Sequence, residues 1–279
     1  MRLKQLFRKL LPPLLLELYD AYRAGGCLGP VWDGVFSRFS DIPCATSFID
    51  VPLFTRLTHQ ETQTALARLR SRGSSDVAGD HRILALLASV LCAHAGRVRI
   101  LDFGGGMGIG FVHVISAVGR CTALEYHIVE TPPMCAGGLE LFRDDPRVQF
   151  HTSIPRRAGQ FDIVYSCSAL QYVDDYVGVL RDLCGLAAQF VLFIELSAGD
   201  VPTYVTVQRN VRGARIPYRF INGAELLRCM ADSGYEVLFR STGDRVYDQH
   251  NFPQRYRLGR TANILLATSN VGGRGLRDA

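Results

Sequence analysis

Residues 97–111, Arg-Val-Arg-Ile-Leu-Asp-Phe-Gly-Gly-Gly-Met-Gly-Ile-Gly-Phe, constrain this chain more than any other stretch. Residues 97–102 alternate, turn fully apolar and stop at an acid, which is the pattern of a short buried strand. Glycines follow, and 112–118 then reads as the start of a helix. A strand, a glycine turn and a helix N-terminus form a cradle for a nucleotide-like ligand. Glycine lets backbone approach the ligand closely, and the helix end offers unpaired N–H groups. The dinucleotide fingerprint G-x-G-x-x-G fails here, because its third glycine, counted from Gly104, falls on Ile109. The spacing that fits is acid-x-G-x-G-x-G, through Asp102, Gly104, Gly106 and Gly108, with Gly105 inside the turn.

The rest of the chain extends that unit. Short strands are expected at 126–130, 148–153, 161–167, 190–196, 235–240 and 262–268, and helices at 61–72, 81–94, 133–142, 174–186 and 223–234. Strand and helix alternate from 97 onward, which defines an α/β, doubly wound, Rossmann-like and mainly parallel sheet of seven strands. The two final strands are joined without a helix, so the last is expected to be antiparallel. Residues 1–80 read as a mostly helical or loop extension, 81–270 as the core and 271–279 as a loose tail. Within the extension, 25–48 reads as irregular, with the single tryptophan, Trp32, beside an Asp33-Gly34 turn signal. The basic start of the chain is followed by a proline-split apolar run too short to span a bilayer. It can pack as a helix on the core, or touch a membrane surface peripherally.

Composition excludes several classes. With 48% hydrophobic residues in 279, a sizeable core is available. A formal charge of +5 without a long basic block argues against a dedicated nucleic-acid binder. The 8 cysteines contain no C-x-x-C pair, so no metal site is expected and the setting reads as reducing and cytoplasmic.

In an open parallel sheet ligands bind beyond the carboxyl ends of the strands. Glu130 ends the second core strand, where a carboxylate accepts hydrogen bonds from both ribose hydroxyls of a nucleoside. Thr152 and Ser153 follow the third. Ser166, Ser168 and Tyr172 follow the fourth, as small polar residues and an aromatic suited to a pocket floor and wall. Taken together, these strand ends resemble the class I S-adenosylmethionine-dependent methyltransferases over most of 97–268. The resemblance implies S-adenosyl-L-methionine as cofactor, held by Asp102, Gly104, Gly105, Gly106, Gly108, Glu130, Ser153, Ser166 and Ser168. A narrower resemblance rests on Val-Trp-Asp-Gly-Val-Phe at 31–36, the glycine turn, Ser-Ala-Leu-Gln-Tyr at 168–172 and Thr-Val-Gln at 206–208. It is to a bacterial methyltransferase family met among surface-polysaccharide assembly genes. The Asn/Asp-Pro-Pro-aromatic signature of N-methyltransferases is missing after the fourth strand, which favours oxygen over a nucleobase amine as the methylated atom.

The insertion at 198–220 is the expected acceptor region, through Tyr204, Gln208, Arg212 and Arg219. The loop 244–260 adds Arg245, His250 and further arginines, which suit phosphate and sugar groups. A hydroxyl acceptor needs a base, for which His250 and Tyr172 are the candidates. The expected substrate is a small molecule or glycan. The rival readings are a methyltransferase-like binding module without turnover and, against the glycine spacing, a nicotinamide oxidoreductase.

Overall fold

The computed structural model describes residues 30–47, 51–72, 77, 79–119, 123–211 and 213–269. The N-terminal run, the tail at 271–279 and Arg212 lie outside them. In chain order the elements are β1 (Trp32–Phe36), α1 (Pro52–Arg72), α2 (Arg82–Ala95), β2 (Arg97–Phe103), α3 (Ile109–Val118), β3 (Ala123–Val129), α4 (Pro132–Leu141), β4 (Val148–His151), β5 (Ile163–Cys167), α5 (Tyr176–Cys184), β6 (Phe190–Leu196), β7 (Ala198–Gly199), β8 (Tyr204–Gln208), β9 (Ile216–Asn222), α6 (Gly223–Asp232), β10 (Tyr235–Val246) and β11 (Arg260–Thr268). No helix among the described residues is long and apolar enough to cross a membrane.

The main sheet has seven strands in the order β10-β11-β6-β5-β2-β3-β4. β2 pairs in parallel with both β3 and β5, while β11 runs antiparallel to β6 and β10. This is the expected doubly wound sheet with an antiparallel last strand. The chain moves outward from β2 through β3 to β4, then returns to β5 on the other side. The switch point therefore lies between the carboxyl ends of β2 and β5, and the ligand crevice with it. β6 is buried along its whole length, as expected of a central strand covered on both faces. Each Phe or Leu buried there stabilises the fold by about 1.5–3 kcal/mol. One core face gathers Leu180, Leu183, Leu226 and Leu266, and the other gathers Leu84, Phe111, Tyr126 and Tyr165.

Three expectations are corrected. The insertion at 198–220 is not a loop. It forms β7, β8 and β9, which join β1 in a second sheet of order β1-β8-β9-β7. The segment around Trp32 is not irregular either, since Trp32 pairs with Gln208 and Phe36 with Val205. Asp33-Gly34 sits at a register shift inside that strand rather than in a turn, with Gly34 at φ +76°. The helix expected at 61–72 begins nine residues earlier, at Pro52. Proline is tolerated in a first helical turn, where its missing N–H is not needed.

The second sheet is stapled to the first by aromatics. Trp32, 6% exposed, lies 4.7 Å from Tyr218 and 5.5 Å from both Phe220 and Tyr247 between ring centroids. The hydroxyls of Ser197, Tyr218 and Tyr247 close a buried triangle at 2.6, 2.8 and 2.9 Å. Each hydroxyl both donates and accepts, so the triangle satisfies polar groups that would otherwise be costly to bury. Tyr172, on the loop after β5, packs edge-on against Tyr218 and donates its hydroxyl to Gln208 at 3.0 Å. The small sheet thus faces the crevice from the β5 side.

Candidate functional site

The glycine turn after β2 is built by exclusion of side chains. Gly104, Gly106 and Gly108 adopt φ of +74°, +58° and +97°, which L residues with side chains rarely do. A Cβ on Gly104 would overlap Ala169 of the β5 loop, and one on Gly106 would lie 2.9 Å from Thr58 of α1. The turn is therefore pinched between two elements that only glycine lets this close. Gly108 then caps α3, and its amide closes the turn onto the Gly105 carbonyl at 3.1 Å.

Asp102 sits beneath this turn, not on its open face. It is 1% exposed, and its Oδ2 accepts the Tyr126 hydroxyl at 2.7 Å. A Cβ on Gly105 would overlap the Asp102 carboxylate, and one on Gly110 would lie 2.9 Å from it. Burial pushes the Asp102 carboxyl up to about 7. The Tyr126 hydrogen bond opposes that shift, and the Glu130 charge adds to it. Asp102 supports the loop from below.

Glu130 lies just past β3, at the rim. Its Oε1 accepts the Gly106 amide at 3.2 Å, and its Oε2 accepts the Thr131 amide at 2.7 Å. A carboxylate has about four acceptor positions, and the two amides with the Thr131 side chain do not use them all. Burial raises the Glu130 carboxyl above its ordinary range, against the lowering effect of those two amides.

A cavity of about 450 Å³ opens between these parts, within the range of small-molecule and cofactor sites. Its walls combine the Gly104 and Gly106 backbone, Glu130 and Thr131, Thr152 after β4, Ser168 and Tyr172 after β5, and Thr58 from α1. The strand ends named from sequence therefore converge. Their neighbours supply contacts that periodicity could not reveal: Phe103, Met134 and Val173 line the same space. Thr58 is a further addition, and only the close approach of α1 to Gly106 places it there.

The other expected residues are placed elsewhere. Ser153 is exposed and lies off the lining, while Thr152 is on it. Ser166 is 3% exposed, and its hydroxyl has no hydrogen-bond partner among the described residues. Tyr172 lines the cavity, and burial pushes its hydroxyl upward, with Tyr218 adding to the shift, so at neutral pH it is a proton-bearing donor. His250 stands on the exposed loop after β10, off the lining, with its Nδ1 2.7 Å from Asp248 Oδ1. Tyr204 is a buried member of the aromatic cluster, with its hydroxyl on the Tyr256 carbonyl at 2.6 Å. Arg219 is 7% exposed. It donates to the Asp174 carbonyl at 2.8 Å and lies over the Phe39 and Tyr176 rings.

The remaining arginines sort by contact. Arg209 pairs with Asp33, Arg215 donates to the Pro43 carbonyl, and Arg257 donates to the Phe252 and His250 carbonyls. Among the described arginines Arg245 alone donates to a side chain of the cavity wall, from Nη1 to the Ser168 Oγ at 2.7 Å.

A family model described as a methyltransferase domain matches residues 55–239, well over half of the 279. The chain belongs to this methyltransferase-domain family. No curated protein matches it. Among solved structures, the 1,6-didemethyltoxoflavin-N1-methyltransferase of Burkholderia thailandensis, with 1,6-didemethyltoxoflavin and S-adenosylhomocysteine bound, is similar at 17% identity and a TM-score of 0.46. That match covers 82% of this chain and 92% of that one. The magnesium protoporphyrin IX methyltransferase of Synechocystis PCC 6803, with S-adenosylmethionine bound, is similar at 12% identity and a TM-score of 0.44, over 77% and 97%. An S-adenosylmethionine-dependent methyltransferase from Mesorhizobium loti is similar at 15% identity and a TM-score of 0.46, over 69% and 100%.

Proposed function

We propose that this protein binds S-adenosylmethionine in the cavity beside the glycine turn and transfers its methyl group to oxygen on a small-molecule or glycan-type acceptor. The observation that carries the reading is Glu130. A carboxylate at the end of β3, held on the Gly106 and Thr131 amides with acceptor positions to spare, is what a ribose diol requires. The turn fits the same group, since Gly104 and Gly106 line the cavity with main chain that carries no side chain. When bound, the cofactor supplies an already activated methyl group. The chain's own task is then to orient: Glu130 holds the nucleoside, Thr152 borders its far edge, and Ser168 and Tyr172 bound the side on which an acceptor would stand.

A second reading is a cofactor-binding module without turnover, favoured by one observation. The cavity wall carries hydroxyls and one carboxylate, but no imidazole among the described residues. Incubation with S-adenosylmethionine and a panel of nucleotide sugars, glycan intermediates and small phenols separates the two. Release of S-adenosylhomocysteine that depends on an acceptor supports the enzyme. Tight cofactor binding with no release across the panel supports the module.

A further inference from the structure

Two residues other than glycine adopt positive φ at strand ends that flank the crevice: Ser168 at +53° after β5 and Glu195 at +51° near the end of β6. Such strained positions persist only where the surroundings hold them, and they cluster at functional sites. Here one side chain, Arg245, connects the two.

Glu195 is 3% exposed and points neither into the crevice nor into solvent. Its Oε1 accepts the Asp244 amide at 2.6 Å, and its Oε2 accepts the Arg245 amide at 3.1 Å and the Thr261 hydroxyl at 2.6 Å. Its own amide donates to Asn263 Oδ1 at 3.0 Å. A Cβ on Gly243 would overlap both Glu195 and Thr261, so the backbone can reach the carboxylate only with glycine there. The β10–β11 register shifts between Thr242 and Val246, across these same residues. Irregularities of this kind re-aim side chains beside functional sites. The side chain re-aimed is Arg245, whose guanidinium ends on Ser168 in the cavity wall with the phenols of Tyr172, Tyr218 and Tyr247 around it. Among the described residues no carboxylate makes an ion pair with it, although Asp80 lies within electrostatic reach. Of its five donors one is used on Ser168 and another is shared with the Tyr218 hydroxyl, and the rest of the planar fork matches an oxyanion.

We propose that Arg245 is the acceptor-side cation of the crevice and holds an oxyanion group, carboxylate or phosphate, on the molecule to be methylated. The proposal rests on the methyltransferase reading above. It narrows the acceptor to an anionic one and makes Glu195 the residue that positions the cation.

The test is nuclear magnetic resonance of the full chain carrying ¹⁵N-arginine, titrated separately with acetate and with inorganic phosphate, both with and without saturating S-adenosylhomocysteine. One arginine side-chain resonance, missing from Arg245→Gln, should shift saturably with one of the anions. Whichever anion saturates names the group as carboxylate or phosphate. Arg245→Gln should weaken that binding at least tenfold while its affinity for S-adenosylhomocysteine stays within about twofold. Absence of saturable binding of either anion would overturn the proposal, as would equal binding in Arg245→Gln. Failure of S-adenosylhomocysteine to bind would instead defeat the cofactor reading, and the titration without it would still report on Arg245.

Discussion

The amide of Gly106 donates to the carboxylate of Glu130 at 3.2 Å, joining two residues 24 positions apart across the mouth of the crevice. The bond ties the glycine turn to the acid that the proposed function sets against the ribose, so one contact joins both halves of the proposed cradle. Glu130→Gln keeps the shape but loses the charge. Hydrogen bonds to charged groups contribute about 1.5–3 kcal/mol, so the affinity for S-adenosylmethionine should fall by about 10- to 150-fold, and the melting temperature should fall too, because the glutamine NH2 cannot accept the N–H that one carboxylate oxygen accepts. Calorimetric titration alongside thermal melting checks both halves of that statement.

The same carboxylate predicts a pH dependence. Burial holds the Glu130 carboxyl above its ordinary range. Its protonated form has fewer acceptor positions for ribose hydroxyls. Cofactor affinity should therefore be level in mild alkali and decline on acidification before ordinary glutamate titration begins. Glu130→Gln should flatten this limb of the affinity–pH profile, and a limb of unchanged steepness in that variant would assign it to another group.

Asp102 should act on stability more than on contact. Its carboxyl is raised in the folded state to about 7 from 3.8. Between those values the folded chain holds a proton that the unfolded chain has lost, so stability falls as pH rises through that window. The contribution is complete below the unfolded value and gone above the folded one. Asp102→Asn removes the ionisation but keeps an acceptor for the Tyr126 hydroxyl. Relative to the parent, it should gain stability as pH rises from 4 to 8, by at most about 4 kcal/mol. Denaturant melts of both proteins across that range read the difference directly.

Gly104→Ala should be severe. The new Cβ would meet Ala169 at a backbone φ of +74°, so strain and overlap add at one position. Positive-φ strain and overpacking each cost about 1–3 kcal/mol. Cofactor affinity and melting temperature should both drop. Gly119→Ala serves as a control, because no described residue lies within 4 Å of its added Cβ although its φ is also positive, at +57°. It should show the strain cost alone.

Trp32→Ala tests how β1 is held. Trp32 is buried against Tyr218, Phe220 and Tyr247, and truncation of a buried aromatic costs about 3–5 kcal/mol. Hydrogen exchange at Asp33 and Phe36 should accelerate with that at their β8 partners, Val207 and Val205, while β2 and β6 keep their protection.

Much of this is legible in the sequence. The seven core strands carry their own signals: apolar runs of strand length, glycine or acid stops, and helices between them. The strand before Asp102, the one before Glu130 and all of Phe190–Leu196 are read from local pattern alone. The second sheet is not, because the pairing that brings β1 to β8 is long-range. Trp32 and Gln208 pair across most of the length of the core in sequence, and Asp33-Gly34 carries a turn signal that the pairing overrides. Pro217 lies inside β9, where proline ordinarily argues against a strand. The same gap explains the site. Gly104, Gly106 and Glu130 announce themselves by spacing, but arginines in a run cannot be sorted by sequence. Arg219 and Arg245 read alike until one is found over the Phe39 ring and the other on the Ser168 hydroxyl.

The most direct test of the central claim is calorimetric titration of the protein and of Glu130→Ala with S-adenosylmethionine, and of the protein with NAD. Saturable one-to-one binding of S-adenosylmethionine, no binding of NAD, and a loss of at least tenfold in affinity in the variant are expected. Binding of NAD in place of S-adenosylmethionine, or equal S-adenosylmethionine affinity in the parent and Glu130→Ala, would contradict that claim.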